Sequence, residues 1–232
     1  VSVETNAPVQ WSRTNAVRWR TPLPGPGNST PIVWNDLVML TQAAGNRRVL
    51  VGLDRASGKV LWSAGPEARA GERTHRMNPP CASSPVTDGE RVYAWFGSAG
   101  LVCYNLNGEA QWRADLGVQS HQFGYGSSPV LSGEALFLNF GPGAREFVVA
   151  LDKRTGRELW RATSPSSAGA DDTYGMWSTP LVVEAGGRRQ LLVALRDYFA
   201  GLDPDNGGEI WRVAGLGLQA KASPVAGEGV AV

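Results

Sequence analysis

The sequence predicts an all-β protein in which one four-stranded antiparallel sheet is repeated along the chain. Short runs rich in β-branched and aromatic residues alternate with Gly, Pro, Asn and Asp, and no segment shows sustained helical periodicity. Tryptophan recurs at 62, 112, 160 and 211, so the intervals are 50, 48 and 51 residues. A Ser-Pro or Thr-Pro step keeps the same phase, at 30–31, 84–85, 128–129, 179–180 and 223–224.

Each repeat divides into four short strands joined by turns. In the third repeat they are SSPVLS (127–132), ALFLNF (135–140), EFVVAL (146–151) and RELWRA (157–162). Proline lacks the N–H that a central strand needs, so the Ser-Pro step marks the start of an innermost edge strand. Four antiparallel strands about every 50 residues are typical of a β-propeller blade.

The repeats predict a single β-propeller domain over residues 1–232, with about four complete blades and partial blades at both ends. In chain order the predicted elements are an outer strand of a preceding blade (16–23), blades at 29–64, 82–115, 127–162 and 178–213, and the truncated start of a next blade (222–232). An open arc would leave an inner strand and an apolar blade face uncovered. We therefore expect either a fragment of a longer propeller or a homodimer that closes one ring.

A fixed Asp-to-Trp spacing predicts how neighbouring blades are joined. Three aspartates end third strands, where a carboxylate can accept hydrogen bonds from the backbone of a turn; they are Asp54, Asp152 and Asp203. A glycine follows each of them and can adopt the positive φ of a five-residue hairpin loop. The indole then falls at one place on the outermost strand, where it packs against the next blade and both strand faces meet protein. The predicted docking residues are Trp19, Trp62, Trp112, Trp160 and Trp211.

The segment VALDKRTGRELW (149–160) resembles the pyrroloquinoline quinone (PQQ) repeat, whose pattern runs A-x-D-x-x-T-G-x-x-x-W. Phrases such as LPGPGNSTPIVW and YGSSPVLSGEALFLNFGPG are similar to those of PQQ-like propellers related to the BamB outer-membrane assembly lipoproteins. The resemblance covers nearly the whole chain. It implies a propeller of the quinoprotein alcohol dehydrogenase-like superfamily and a periplasmic or cell-envelope location in bacteria. Some relatives bind PQQ and a metal ion, whereas many carry the repeats as a scaffold.

Composition argues against several classes of protein. The formal net charge is +1, from 22 basic and 21 acidic residues, which disfavours a dedicated nucleic-acid-binding protein. The longest apolar runs, FVVAL (147–151) and LLVAL (191–195), are far shorter than the roughly 20 residues of a membrane-spanning helix. Two strand steps separate Cys81 from Cys103, a distance of roughly 10 Å, so we expect two free thiols.

The long connections between one blade and the next collect polar residues. Loops at equivalent positions of a propeller lie on one ring around the axis, and long loops on a rigid scaffold are where ligands usually bind. These loops predict a site for a small anionic or polar ligand at the channel mouth, formed by His75, Arg76, Asn78, His121, Gln122, Asp172, Tyr174, Trp177 and Lys221. Two other interpretations stay open, namely a metal held by both histidines and a carboxylate, and ordinary solvated loops.

Three functions remain open on the sequence. The first is a non-catalytic scaffold, without cofactor or metal, that binds a protein partner or a small polar ligand in the cell envelope. The second is a quinoprotein-type oxidoreductase that uses PQQ with calcium and has part of its site in blades beyond this chain. The third is a polysaccharide-binding module with exposed aromatic residues such as Trp34, Trp95, Tyr125 and Trp177. We favour the scaffold, because the sequence contains no recognisable nucleophile–base set or phosphate-binding loop.

Overall fold

The structure is a computed structural model that describes residues 5, 8–143, 145–163 and 174–232. In these stretches the chain is nearly all β, and four four-stranded antiparallel sheets follow one another along the sequence. Each sheet pairs consecutive strands, so that each is one blade. The predicted all-β class with four-stranded propeller blades is confirmed.

The strands of the blades have the following bounds. The first blade contains β1 (Ile32–Trp34), β2 (Leu37–Ala44), β3 (Arg47–Asp54) and β4 (Val60–Ala64), and the second contains β5 (Val86–Thr87), β6 (Arg91–Trp95), β7 (Leu101–Asn105) and β8 (Ala110–Ala114). The third contains β9 (Val130–Ser132), β10 (Ala135–Phe140), β11 (Phe147–Asp152) and β12 (Glu158–Thr163). After β13 (Gly175–Met176), the fourth contains β14 (Leu181–Ala185), β15 (Arg188–Ala194), β16 (Tyr198–Leu202) and β17 (Glu209–Ala214). The remaining elements are a 3₁₀ turn (Gly97–Ala99), β18 (Gln219–Ala220), β19 (Ala226–Gly227) and β20 (Val230–Ala231).

The two ends of the chain differ in how far their strands form. Residues 226–231 make the two-stranded hairpin β19–β20, which we call the fifth unit. Residues 16–23 were predicted to be the outer strand of a preceding blade, but they pair with no other strand. An outer strand pairs with the third strand of its own blade, and the described residues contain no such strand beside them. Trp19 nevertheless contacts the first blade, where its indole N–H donates to the carbonyl of Arg55 at 2.9 Å.

The Ser-Pro steps link the inner ends of the blades. In each step the N–H of the Ser or Thr before proline donates to the hydroxyl of its counterpart in the next blade. The bonds run from Thr30 to Ser84 (2.8 Å), from Ser84 to Ser128 (3.0 Å), from Ser128 to Thr179 (3.0 Å) and from Thr179 to Ser223 (2.9 Å). Proline then begins the inner strand without leaving a central N–H unpaired. The repeated step therefore sets the spacing of blades around the axis.

The hydrophobic core lies between blades. One cluster joins Met39 and Leu50 of the first blade to Val92 and Tyr104 of the second. A second cluster joins the second and third blades, and a third joins the third and fourth. Strand residues alternate between faces, so the second and third sheets each pack on both of their neighbours. A docking tryptophan of the earlier blade borders each of these clusters, namely Trp62, Trp112 and Trp160.

Trp19 and these three indoles each cover a glycine in the following blade, in the hairpin between its third and fourth strands. A Cβ atom on the glycine would lie within 2.4 to 2.7 Å of the ring, which no real side chain tolerates. The pairs are Trp19 with Gly58, Trp62 with Gly108, Trp112 with Gly156, and Trp160 with Gly207. All four glycines have positive φ, between +72° and +84°. The hairpin glycine therefore has two roles: it adopts the positive φ of the turn, and its missing side chain leaves room for the indole ring.

The outer strands do not have protein on both faces, which corrects one expectation. Leu159 is 43% exposed although its neighbour Trp160 is half-buried, and Leu61 beside Trp62 is 51% exposed. Radially arranged blades diverge with distance from the axis. One face of the outermost strand therefore reaches solvent.

Candidate functional site

A cavity of about 510 Å³ opens where the loops between blades meet, and we call it the channel-mouth cavity. Its volume is in the range typical of sites for small molecules. It is lined by Asn28, His75, Met77, Asn78, Ala82, Phe123, Gly126, Trp177, Gln219 and Lys221. Asn28 precedes the first blade, and the other residues come from the loops after the first, second, third and fourth blades.

Two tight turns hold the histidine loops. The N–H of Asn78 donates to the carbonyl of His75 at 2.9 Å, and that of Gly124 donates to the carbonyl of His121 at 2.9 Å. The Asn78 amide then crosses between loops, donating to the carbonyls of Phe123 (2.8 Å) and Tyr125 (2.9 Å). Both histidine rings use Nδ1 as an acceptor for a backbone N–H two residues later. These polar side chains therefore hold the loop backbone in place.

An aromatic cluster forms the wall of the cavity. Phe123 lies between His75 and Trp177, with ring centroids 5.3 and 6.4 Å away. His121 is buried behind this wall, in edge-to-face contact with Trp177 at 5.3 Å. The Trp177 indole N–H donates to the carbonyl of Gly124 at 2.9 Å, which fixes the ring on the second loop. Edge-to-face packing and these bonds make the wall rigid before any ligand binds.

The remaining side of the cavity depends on a short parallel ladder. β13 pairs with β18 in parallel, and the N–H of Trp177 donates to the carbonyl of Ala220 at 2.7 Å. This ladder brings Gln219 and Lys221 beside the aromatic wall. Lys221 is exposed and is the one residue of fixed charge among the described residues that line the cavity.

The structure brings together part of the predicted site. His75, Asn78, Trp177 and Lys221 line the cavity, and His121 supports its wall from behind. Arg76, Gln122 and Tyr174 are not among the lining residues, and Arg76 is exposed. Asp172 lies outside the described residues. Six residues that line the cavity were not predicted from the sequence, namely Asn28, Met77, Ala82, Phe123, Gly126 and Gln219. Of these, Phe123 could have been predicted, because it stands between His121 and Tyr125 in a loop that the sequence had already indicated.

The described residues that line the cavity lack the ligands that calcium, alone or with PQQ, requires. Calcium requires six to eight oxygen ligands, usually with carboxylates among them. The described lining residues include no carboxylate, and the described part of the chain holds no group of three or more His, Cys, Asp or Glu with the geometry of a metal site. The carboxylate that the metal hypothesis used, Asp172, is outside the described residues. The described donors of the cavity therefore do not fit calcium.

Two ion pairs are buried among the blades. Arg48 contacts Glu72 at 2.8 Å, and Arg196 of the fourth blade contacts Glu146 of the third at 3.1 Å. Burial raises the pKa of the Glu146 carboxyl above its ordinary value, and the nearby Arg196 guanidinium opposes this. The second pair joins neighbouring blades through two residues that are 50 positions apart in the sequence, 146 and 196.

The hairpin aspartates accept hydrogen bonds within their own turns. Asp152 accepts from the Thr155 hydroxyl and from the backbone N–H groups of Arg154 and Thr155, at 2.8 to 3.0 Å. These bonds hold the pKa of the Asp152 carboxyl below its ordinary value, and the bond from the Thr155 hydroxyl has the largest effect. A Ser57 hydroxyl lowers the pKa of Asp54 in the same way. Asp203 accepts from the N–H of Asp205 at 2.8 Å.

Two of the aromatic residues considered for polysaccharide binding are buried, which corrects that prediction. Trp95 is 0% exposed and Tyr125 is 2% exposed, because both point into the core between the second and third blades. Trp34 is partly exposed and packs beside Gly89 of the second blade. Of the four, Trp177 alone lines the channel-mouth cavity.

Both cysteines are free and buried, as predicted from their spacing. They belong to different clusters, Cys81 between the first and second blades and Cys103 between the second and third. Burial raises the pKa of each thiol to about 12. Neither thiol is a thiolate at neutral pH, so both act as small packing groups.

Comparison with known proteins places the chain among propellers of this kind. A family model described as "Outer membrane protein assembly factor BamB" matches residues 2–122, 47–197 and 144–232. A curated relative, quinohemoprotein alcohol dehydrogenase ADH-IIG of Pseudomonas putida, is 26% identical over 178 residues, which is 68% of this chain and 24% of the relative. The chain thus spans about a quarter of that relative's length.

Two solved structures share the fold at low identity. Quinohemoprotein alcohol dehydrogenase from Comamonas testosteroni aligns with a TM-score of 0.63 at 15% identity, over 90% of this chain and 39% of that one. BamB from Moraxella catarrhalis aligns with a TM-score of 0.50 at 16% identity, over 92% of this chain and 71% of that one. Within the described residues, no helix has the length and apolar character needed to cross a membrane. The match of the family model along essentially the whole chain shows that it belongs to the BamB family of PQQ-like β-propellers.

Proposed function

We propose that this chain is part of a non-catalytic PQQ-like propeller that binds a protein partner or a small polar ligand at the channel-mouth cavity, in the periplasm or cell envelope of a bacterium. The family match supports the scaffold and the location, since the matching model is named for an assembly factor of the outer membrane.

One observation carries this proposal: the polar side chains at the cavity are already used to hold its wall. The amide of Asn78 and the indole N–H of Trp177 both donate to loop carbonyls, and His75 accepts a backbone N–H through Nδ1. What the cavity offers a ligand is a set of fixed aromatic faces beside the ammonium group of Lys221. Such preorganisation favours binding, because little side-chain entropy remains to be lost.

The proposal is tested by following the Trp177 indole resonance by NMR. The probes are short acidic, neutral and basic peptides and small dicarboxylates, each titrated to millimolar concentration. We expect an acidic probe to cause saturable shifts of this resonance. Lys221→Ala should weaken the binding of that probe about fivefold, since an exposed ion pair contributes about 1 kcal/mol. Lys59→Ala, an exposed lysine on the hairpin of the first blade, is the matched control and leaves the shifts unchanged. If no probe moves the Trp177 resonance, the cavity is not the binding site.

A second candidate, a quinoprotein-type oxidoreductase, is favoured by the relative named quinohemoprotein alcohol dehydrogenase. Incubation of the protein with PQQ and calcium separates the two functions. The scaffold predicts no bound quinone absorbance and no alcohol-dependent reduction of an acceptor dye. Retained quinone that is lost in Trp177→Ala would instead favour the oxidoreductase.

A further inference from the structure

The sulfur atoms of the chain differ sharply in their exposure. The sequence contains three methionines and two cysteines, and all five lie within the described residues. Four of these residues are 0% exposed, namely Met39, Met176, Cys81 and Cys103, whereas Met77 is 74% exposed. Oxidation of sulfur by peroxides depends on access to the sulfur atom. In the native chain, access is therefore confined to one position.

The backbone on both sides of the Met77 thioether is fixed by hydrogen bonds. Its N–H donates to Nδ1 of His75 at 3.3 Å, and its carbonyl accepts the side-chain amide of Asn28 at 3.4 Å. The N–H of Asn78 closes the turn by donating to the carbonyl of His75 at 2.9 Å. This turn holds the thioether at the channel-mouth cavity, which Met77 lines.

The two loops that adjoin the Met77 loop around the axis both belong to the described residues. Asn28 lies in the loop before the first blade, and the Asn78 amide donates to the carbonyl of Phe123 in the loop after the second blade. Met77 is exposed with both of these neighbouring loops in place. Its exposure therefore does not come from a missing neighbour.

Oxidation of this thioether changes the chemistry of the cavity lining. Met77 shares the lining with the rings of Phe123 and Trp177. A sulfoxide introduces a polar S=O group, a hydrogen-bond acceptor, beside these apolar surfaces. Two lining groups can donate to the new oxygen. One is the ammonium of Lys221, and the other is Nε2 of His75, which carries the proton of the neutral ring because Nδ1 accepts a backbone N–H.

We propose that Met77 is a reversible oxidation site through which hydroperoxides, with hydrogen peroxide as the simplest, modify the channel-mouth cavity. The O–O bond of the peroxide breaks, one oxygen forms the S=O bond, and the other leaves as water. The sulfur loses two electrons and the peroxide gains them. In the reverse step two thiols become a disulfide, and the sulfoxide oxygen leaves as water. The modification goes beyond the proposed function, and only its consequence for ligand binding rests on that function.

Peptide mass spectrometry of the native chain treated with millimolar hydrogen peroxide measures the oxidation of each methionine. We expect Met77 to react at least about tenfold faster than Met39 and Met176, because buried thioethers react only when the structure opens. In urea the three should react at similar rates. Met77→Leu, which nearly preserves the side-chain volume, should take up no oxygen in the native state. Native oxidation of Met77 that is no faster than that of the two buried methionines would overturn the proposal.

The effect on the cavity is measured with the Trp177 indole resonance in the absence of any ligand. Peroxide treatment should shift this resonance in the wild-type chain and leave it in place in Met77→Leu. Methionine sulfoxide reductases for both sulfoxide epimers, supplied with a dithiol, should restore the original position. An unshifted resonance after complete oxidation of Met77 would refute the effect on the cavity. If oxidation shifts the resonance but no acidic probe binds either form, the proposed function fails and the oxidation site stands.

Discussion

Replacing Trp112 by alanine should remove the contact that joins the second blade to the third. The ring lies over Gly156, packs against Tyr93 at 5.9 Å, and donates its N–H to the Lys153 carbonyl at 3.0 Å. Truncation of a buried tryptophan costs about 3–5 kcal/mol, and a lost hydrogen bond costs about 1 kcal/mol. Because Trp112 is half-buried, we expect the free energy of unfolding to fall by about 3–4 kcal/mol.

Thermal and urea unfolding followed by near-ultraviolet circular dichroism measure this loss. The melting temperature should fall by about 6–16 °C for a chain of this size. Trp112→Phe keeps an aromatic ring but not the N–H, so it should cost about 1–2 kcal/mol. Trp11→Ala, at a 70% exposed position, should stay within about 0.5 kcal/mol of wild type. If Trp112→Ala is no more destabilising than Trp11→Ala, the indole does not join the blades.

Three further predictions concern titratable groups. Asp152→Ala should lower the free energy of unfolding by about 1 kcal/mol at neutral pH; because the folded pKa of Asp152 is lowered from 3.8, that difference should shrink as urea titrations move below pH 3.8. The thiols of Cys81 and Cys103, with pKa values raised to about 12 by burial, should resist alkylation in the native protein at pH 8, and both should react after denaturation. Fast labelling of the folded chain would contradict this. Arg196→Met should cost about 3 kcal/mol at pH 7, because it leaves the Glu146 carboxylate buried without its partner. The loss should become smaller as urea titrations are moved to acidic pH, because burial raises the pKa of that carboxyl and favours its neutral form; a loss that does not change with pH would refute the assignment.

The blade architecture could be predicted because it follows from local rules that the chain repeats. The hairpin of the second blade is one example, since Asn105 replaces Asp and the loop is one residue shorter. That change predicts a tighter turn, and the N–H of Gly108 indeed bonds the carbonyl three residues back, whereas that of Gly58 bonds the carbonyl four residues back. Local spacing was sufficient here because turn, strand end and indole lie within one short segment.

The channel-mouth cavity could be predicted only in part, because its walls meet across blades. Gln219 reaches the cavity through the two-residue ladder of β13 and β18, which is too short to leave a periodic pattern. Glu146 and Arg196 pair across an interface that no local spacing indicates. Composition also cannot distinguish Trp95, which is buried, from Trp177, which lines the cavity. The exposure of each ring depends on which face of its strand or loop carries the side chain.

The hairpin glycine of each of the four blades lies under an indole from the segment that precedes that blade. Nuclear Overhauser effects between tryptophan ring protons and glycine Hα protons measure this contact directly, in a sample with labelled tryptophan and glycine. We expect cross-peaks for four pairs, from Trp19 to Gly58, Trp62 to Gly108, Trp112 to Gly156 and Trp160 to Gly207. Rings that show no cross-peak to the following hairpin, and whose indole N–H groups exchange with solvent as fast as that of Trp11, would contradict it.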